Sequence, residues 1–154
     1  MKYFAIICSL IFTVACALNK FKQLDNVASF EFSRTSCYGK CPAYQVKIVN
    51  DSVFYYGSIN TPKKGSFAAT GGRSLYKRLI GEARKSHFFD LSPQYPINGS
   101  IIPDLPNVRT KFVTAKLSKE VQYNHEAPPQ LLKFHTFVDA QLDSLDWHPH
   151  SGYK

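Results

Sequence analysis

The chain reads as an α+β domain: one antiparallel sheet of five to six strands with two helices packed on one face, in the order βββ(β)αββα. Three observations predict this. Apolar residues alternate with a period of two before residue 57 and again after residue 107, they switch to helical spacing in two separate segments, and a proline-rich stretch divides the halves. With 154 residues, 44% hydrophobic and 19% charged, the composition is that of a folded protein. Without its leader the chain still buries roughly two thirds of the surface it exposes when unfolded, enough for one domain with its own core.

Ala28, Phe30 and Phe32 alternate with Ser29, Glu31 and Ser33, which predicts the first strand. Tyr44, Val46 and Ile48 alternate with Gln45 and Lys47, and Asn50-Asp51-Ser52 turns the chain back into Val53–Tyr56 as a hairpin. Pro62 to Gly65 is a second turn, and Ser66 to Thr70 a fourth, edge-like strand that Gly71 and Gly72 terminate. From Arg73 the residues Leu75, Tyr76, Leu79, Ile80 and Ala83 repeat at helical spacing, with an end near His87. Asp90 to Asn107 contains Pro93, Pro96, Pro103, Pro106 and Asn98-Gly99, so it is a long loop, a length that is usually functional or mobile. Val108 to Leu117 is a long strand with Val113, Ala115 and Leu117 on one face, and Ser118-Lys119-Glu120 turns it back into Val121–His125. Pro128 and Pro129 open a last helix with the stripe Leu131, Phe134, Val138, Leu142 and Leu145. The domain is expected over residues 28–147, with 148–154 a flexible tail.

Ahead of it, Lys2 precedes Tyr3–Leu18, sixteen residues without a charge. That is shorter than the roughly 20 apolar residues of a membrane span, so residues 1–17 read as an export signal and 18–27 as a tether. Two cleavage readings stay open. Thr13-Val14-Ala15-Cys16 resembles a lipoprotein box, which makes Cys16 the lipidation site, whereas Ala15-Cys16-Ala17 suits ordinary signal peptidase. Either way Cys8 is lost, Cys16 is lipid-modified or lost, and Cys37 and Cys41 remain to pair in an oxidising compartment. A ring so small is worth only about 2 kcal/mol by chain entropy, so the bridge pins a turn rather than the whole fold. The expected location is the periplasm or, with a lipid anchor, the outer membrane. The full chain carries a net charge of +8, which attracts anionic surfaces and acidic partners.

The cysteines sit in Arg34-Thr35-Ser36-Cys37-Tyr38-Gly39-Lys40-Cys41-Pro42-Ala43-Tyr44, between the first two strands. This stretch resembles the signature Arg-Thr-x-Cys-aromatic-Gly-x-Cys-Pro-x-Tyr of an uncharacterised bacterial family, domain of unknown function 6438. Tyr38 stands where Phe is common. Tyr56-Gly57 and Pro103-Asp104-Leu105-Pro106 resemble later, looser blocks of the same family, extending the similarity from about Phe30 to Leu145. The resemblance implies an exported domain and brings no catalytic residues and no cofactor.

Three readings of Cys37 and Cys41 compete: structural bridge, redox couple and metal ligands. Three intervening residues between strands favour the bridge over thioredoxin-like chemistry, which uses two at a helix N-terminus. Zinc would need two more ligands from His125, His135, His148 and His150, whose spacing is not finger-like. His87 and His135, on helices, read as surface or boundary residues. Arg34 and Asp104 form a candidate pair, the guanidinium clamping the long loop through a carboxylate fork; the competing reading is that Asp104 caps its own turn. Arg73, Lys77, Arg78, Arg84 and Lys85, opposed in their helix by Glu82 alone, form a basic patch for anionic glycan or lipid head groups. Nucleic acid is not expected, because the aromatics fall in strand patterns rather than between the cations. Ile97, Ile101, Ile102 and Leu105 either fold over the sheet or present a patch to a partner. The function expected is a non-catalytic envelope binding module. The alternatives are a hydrolase of envelope polymers using Glu31, Asp90 and Asp104, or a thiol-redox protein.

Overall fold

The computed structural model describes residues 27–114 and 117–152. In chain order the strands are β1 (Val27–Arg34), β2 (Ala43–Val49), β3 (Ser52–Ile59), β4 (Gly65–Thr70), β5 (Gln94–Tyr95), β6 (Val108–Thr114), β7 (Ser118–Tyr123) and β8 (His148–Pro149). Helix α1 (Gly72–Lys85) follows β4, and α2 (Pro129–Asp143) follows β7. The fold is α+β and the sheet mostly antiparallel, but it has eight strands rather than five or six, in the spatial order β5-β7-β6-β1-β2-β3-β4-β8. The two extra strands are two residues each. One pairs in parallel with β7, the other with β4, and neither is long enough to leave a periodic signal. The stretch expected to be a flexible tail therefore begins as an edge strand, and β4 is not the edge.

β1 is central because its inward residues find apolar partners on both sides: Phe30 stands opposite Ile48 and Phe112, and Phe32 opposite Val46. The alternation puts Phe30, Phe32, Val46, Ile48, Val53 and Tyr55 into one core with the buried stripes of both helices. Glu31, Lys47 and Arg109 take the opposite face, where they are joined by ion pairs of 3.5 to 3.6 Å. On β6 the core face is Val108, Thr110, Phe112 and Thr114, the register opposite to the face expected to carry Val113, Ala115 and Leu117. β6 also ends at Thr114, whose amide and hydroxyl bond to Leu117, so Ser118 to Glu120 lie in β7 instead of forming the turn.

At the β2–β3 turn Asn50 takes φ +54°, a value that Asn tolerates well. Gly72 opens α1 against this turn: a Cβ there would lie 2.8 Å from the Asn50 carbonyl oxygen. Leu75, Tyr76, Leu79, Ile80 and Ala83 form the buried side of α1, and the Tyr76 hydroxyl donates to the Ile48 carbonyl at 2.6 Å. After α1 the chain sends Phe88 into the core, where its ring meets Phe112 and Phe134 at 5.3 and 5.4 Å. The proline-rich segment then crosses to the β5 edge, with a cis Tyr95–Pro96 bond.

Candidate functional site

Arg34 ends β1, Tyr44 faces it across the β1–β2 ladder, and α2 brings Asp139 to both. The guanidinium donates to Asp139 Oδ2 at 2.6 Å and to the Tyr44 hydroxyl at 3.2 Å, while the Tyr44 hydroxyl donates to Asp139 Oδ1. The guanidinium also lies over the Phe32 ring, 5.1 Å from its centroid. Burial opposes the Arg34 charge, but Tyr44 and Asp139 outweigh it and hold the group firmly protonated. Burial and the Asp139 charge push the Tyr44 hydroxyl far above the ordinary tyrosine range, so it stays a donor. Tyr123 is raised in the same way, by burial, with Arg34 pulling against it.

This cluster forms one wall of a cleft of about 360 Å³ that Pro42, Tyr55, Thr61 and Asp143 also line. Tyr44 stacks on Tyr55 at 5.4 Å, and Trp147 packs behind Tyr55 at 5.3 Å. Chemically the cleft is a small aromatic recess with one self-neutralised ion pair and one further carboxylate, Asp143. The Tyr44 phenol is held protonated and the Asp139 carboxylate accepts from two donors, so these groups are partnered within the cluster.

Cys37 and Cys41 form a disulfide, with Cα atoms 5.6 Å apart, in the loop between β1 and β2. Arg34 and Asp104 are not the clamp: the Arg34 guanidinium is held by Asp139, and Asp104 contributes its main-chain carbonyl, which accepts from the Tyr38 amide at 3.0 Å. The long loop is held by Asn124, a buried side chain whose amide accepts from the Ile102 N–H at 2.7 Å and donates to the Ile102 and Leu105 carbonyls at 3.2 and 3.1 Å. Thr35 and Asn107 add two bonds between the cystine loop and the end of the long loop, at 3.0 and 2.8 Å. Asn60 donates to the Gly39 and Cys41 carbonyls and joins the β3–β4 turn to the same loop.

These joined loops share one end of the sheet. Arg34 pairs with both Tyr44 and Val108, Val108 with Tyr123, Tyr95 with Tyr123, and Ala43 with Ile59. Among the described residues, six of the eight exposed large hydrophobics lie there: Tyr38, Ile59, Ile97, Ile101, Ile102 and Leu105. Tyr38 is 91% exposed. The long loop thus presents its isoleucines to solvent and does not fold them over the sheet.

Of the five basic residues of α1, Arg73, Lys77, Arg78 and Lys85 are exposed and Arg84 is half-buried; Arg78 bonds Gln141 of α2 and Ser74, and Lys85 pairs with Glu82 at 3.2 Å. The α1 N-terminus is fastened to Asp51, at the end of the sheet opposite the cystine loop. Glu31, Asp90 and Asp104 sit on β1, in the turn after α1 and in the long loop, and none lines the cleft. His135 lies in the core with its Nε2 2.8 Å from the Thr110 hydroxyl, and burial, with the Arg34 charge adding to it, pushes its pKa down to about 3. Among the described residues no group of three or more His, Cys, Asp or Glu side chains could hold a metal ion. Cys16, the leader and residues 18–26 of the tether lie outside the described residues.

Asp139, Asn124 and the burial of His135 were missed from the sequence. Asp139 falls one residue after Val138 on the apolar stripe of α2, the single hint that a charge there faces inward.

Fold and site together define a single-sheet α+β domain whose first two strands are joined by a cystine loop. The chain matches the family described as Domain of unknown function (DUF6438) over residues 28–142, and it belongs to that family. No curated protein matches it.

Proposed function

We propose that the chain is exported and serves in the cell envelope as a non-catalytic interaction module that docks through the cystine-loop end of its sheet. The observation that carries this reading is the gathering of six large exposed apolar side chains, five on loops that are fastened to one another and Ile59 at the end of β3. Fastened loops lose little freedom on binding, which favours recognition by a rigid surface. Export is supported by the disulfide, since such bonds persist outside the cytosol. Cleavage before or after Cys16, and lipidation of Cys16, belong to the same reading, with membrane tethering as its consequence.

The test is intact-mass analysis of the native chain combined with photocross-linking from position 102 in living cells. A mass lacking the first fifteen to seventeen residues, a closed disulfide and a cross-link to an envelope component are expected. Retention of Met1 with both thiols freely alkylated would refute export, and an absence of any cross-link from position 102 would refute docking at this end.

A further inference from the structure

We infer that the partner of the cystine-loop end is an anionic lipid surface, into which Tyr38 and the isoleucines of the long loop insert. This rests on the docking reading above and names its partner. The apolar side chains are borne on loops rather than in a groove, and lysines stand among them. Lys40 follows Tyr38 by two residues, and Lys63 and Lys64 occupy the β3–β4 turn that begins just after Ile59 and that Asn60 ties to the cystine loop. Asp104 and Glu126 are the acidic residues of these loops, and Asp143 lines the cleft beside the β3–β4 turn, so the attraction rests on where the three lysines stand and on the net charge of +8.

The residue types decide between lipid and protein. Tyr38 suits either partner, since protein–protein interfaces favour Tyr, Trp, Phe, Met and Arg, but lysine is depleted there, whereas lysines beside aliphatic side chains suit the boundary of head groups and acyl chains. Each lysine near an anionic leaflet strengthens partition roughly fivefold. Rigidity adds to this, because Asn124, Thr35 and the disulfide already hold the inserting residues in place. The exposed cations of α1 begin at the other end of the sheet and are not needed for this contact.

The test uses the full chain carrying Ile101→Trp, with the wild-type chain as the blank for Trp147, and vesicles of phosphatidylcholine with or without one quarter phosphatidylglycerol. An indole at position 101 reports this loop even if the leader holds the chain on the vesicle. Blue-shifted emission and quenching by brominated lipids are expected with the anionic vesicles only. The triple variant Lys40→Gln/Lys63→Gln/Lys64→Gln should weaken the partition on the order of a hundredfold, with circular dichroism and disulfide unchanged. Equal quenching in both kinds of vesicle, or no loss in the triple variant, overturns the electrostatic contact. No quenching together with a protein cross-link from position 102 overturns the lipid partner and leaves the docking reading standing; no quenching and no cross-link overturns both.

Discussion

Three groups at the end of β1 satisfy one another: the Arg34 guanidinium, the Asp139 carboxylate and the Tyr44 hydroxyl. Removing one leaves two polar groups at the edge of the core short of a partner, which costs more than an exposed ion pair contributes. Asp139 is 39% exposed, so water recovers part of the loss. Asp139→Ala should lower stability by about 2 kcal/mol in urea denaturation, whereas Asp143→Ala, four residues along the same helix and exposed, should stay within about 0.5 kcal/mol. Equal effects of the two substitutions would show that the cluster contributes nothing beyond surface charge. Outside the core, Arg109 and Glu120 form a two-pronged pair at 2.7 and 3.0 Å, and the hydrogen bonds from Arg109 keep Glu120 below the usual carboxylate range. Its exposure makes it a weak contributor.

At the scale of elements, backbone approaches decide which residues are tolerated. Gly57 lies where the β3–β4 turn folds back: a Cβ would stand 1.9 Å from the Lys63 carbonyl oxygen and 2.7 Å from the Thr61 hydroxyl. Gly57→Ala therefore has to displace backbone and should cost about 3 kcal/mol or more. Gly81, within α1, has no atom within 4 Å of its added Cβ apart from its chain neighbours and its own helix backbone, so Gly81→Ala should stabilise by about 0.5 to 1 kcal/mol. Thermal melts of the two variants check this pair of opposite signs. The close approach at Gly57 also fixes where the lysine-bearing turn sits beside the cleft, at the cystine-loop end of the sheet.

For the whole molecule, His135 ties stability to pH. In the fold its pKa is about 3, set by burial and by the Arg34 charge, against an ordinary value near 6.5. Between these values the unfolded chain holds the proton and the folded chain does not, so stability is fully present above pH 6.5 and falls as pH drops toward 3. The whole window corresponds to roughly 3 to 5 kcal/mol. Thr110, Tyr123, Phe32 and Phe134 surround the ring, none of them a carboxylate. Denaturation at pH 7, 6 and 5, where carboxylates are still largely ionised, should show a decline that His135→Gln flattens. An unchanged slope in that variant would remove His135 as its cause.

Much of this architecture was legible along the chain because it is set by near neighbours. The β2–β3 hairpin, the two amphipathic helices and the pairing of Cys37 with Cys41 follow from period, turn residues and cysteine arithmetic, all of which act over a few residues. What acts across the chain was not legible. Arg34 meets a carboxylate 105 residues away, Asn124 holds a loop about 20 residues before it, and β5 and β8 exist only because a neighbouring strand offers its edge. The face of β6 was decided by its pairing with β1, which sets Phe112 opposite Phe30 and turns Val113 outward. Local chemistry determined which segments are strands, helices and the stapled bend. Only packing in three dimensions determined which polar side chains lie inside, since a buried group is placed by the partner that satisfies it, and that partner is chosen by the fold.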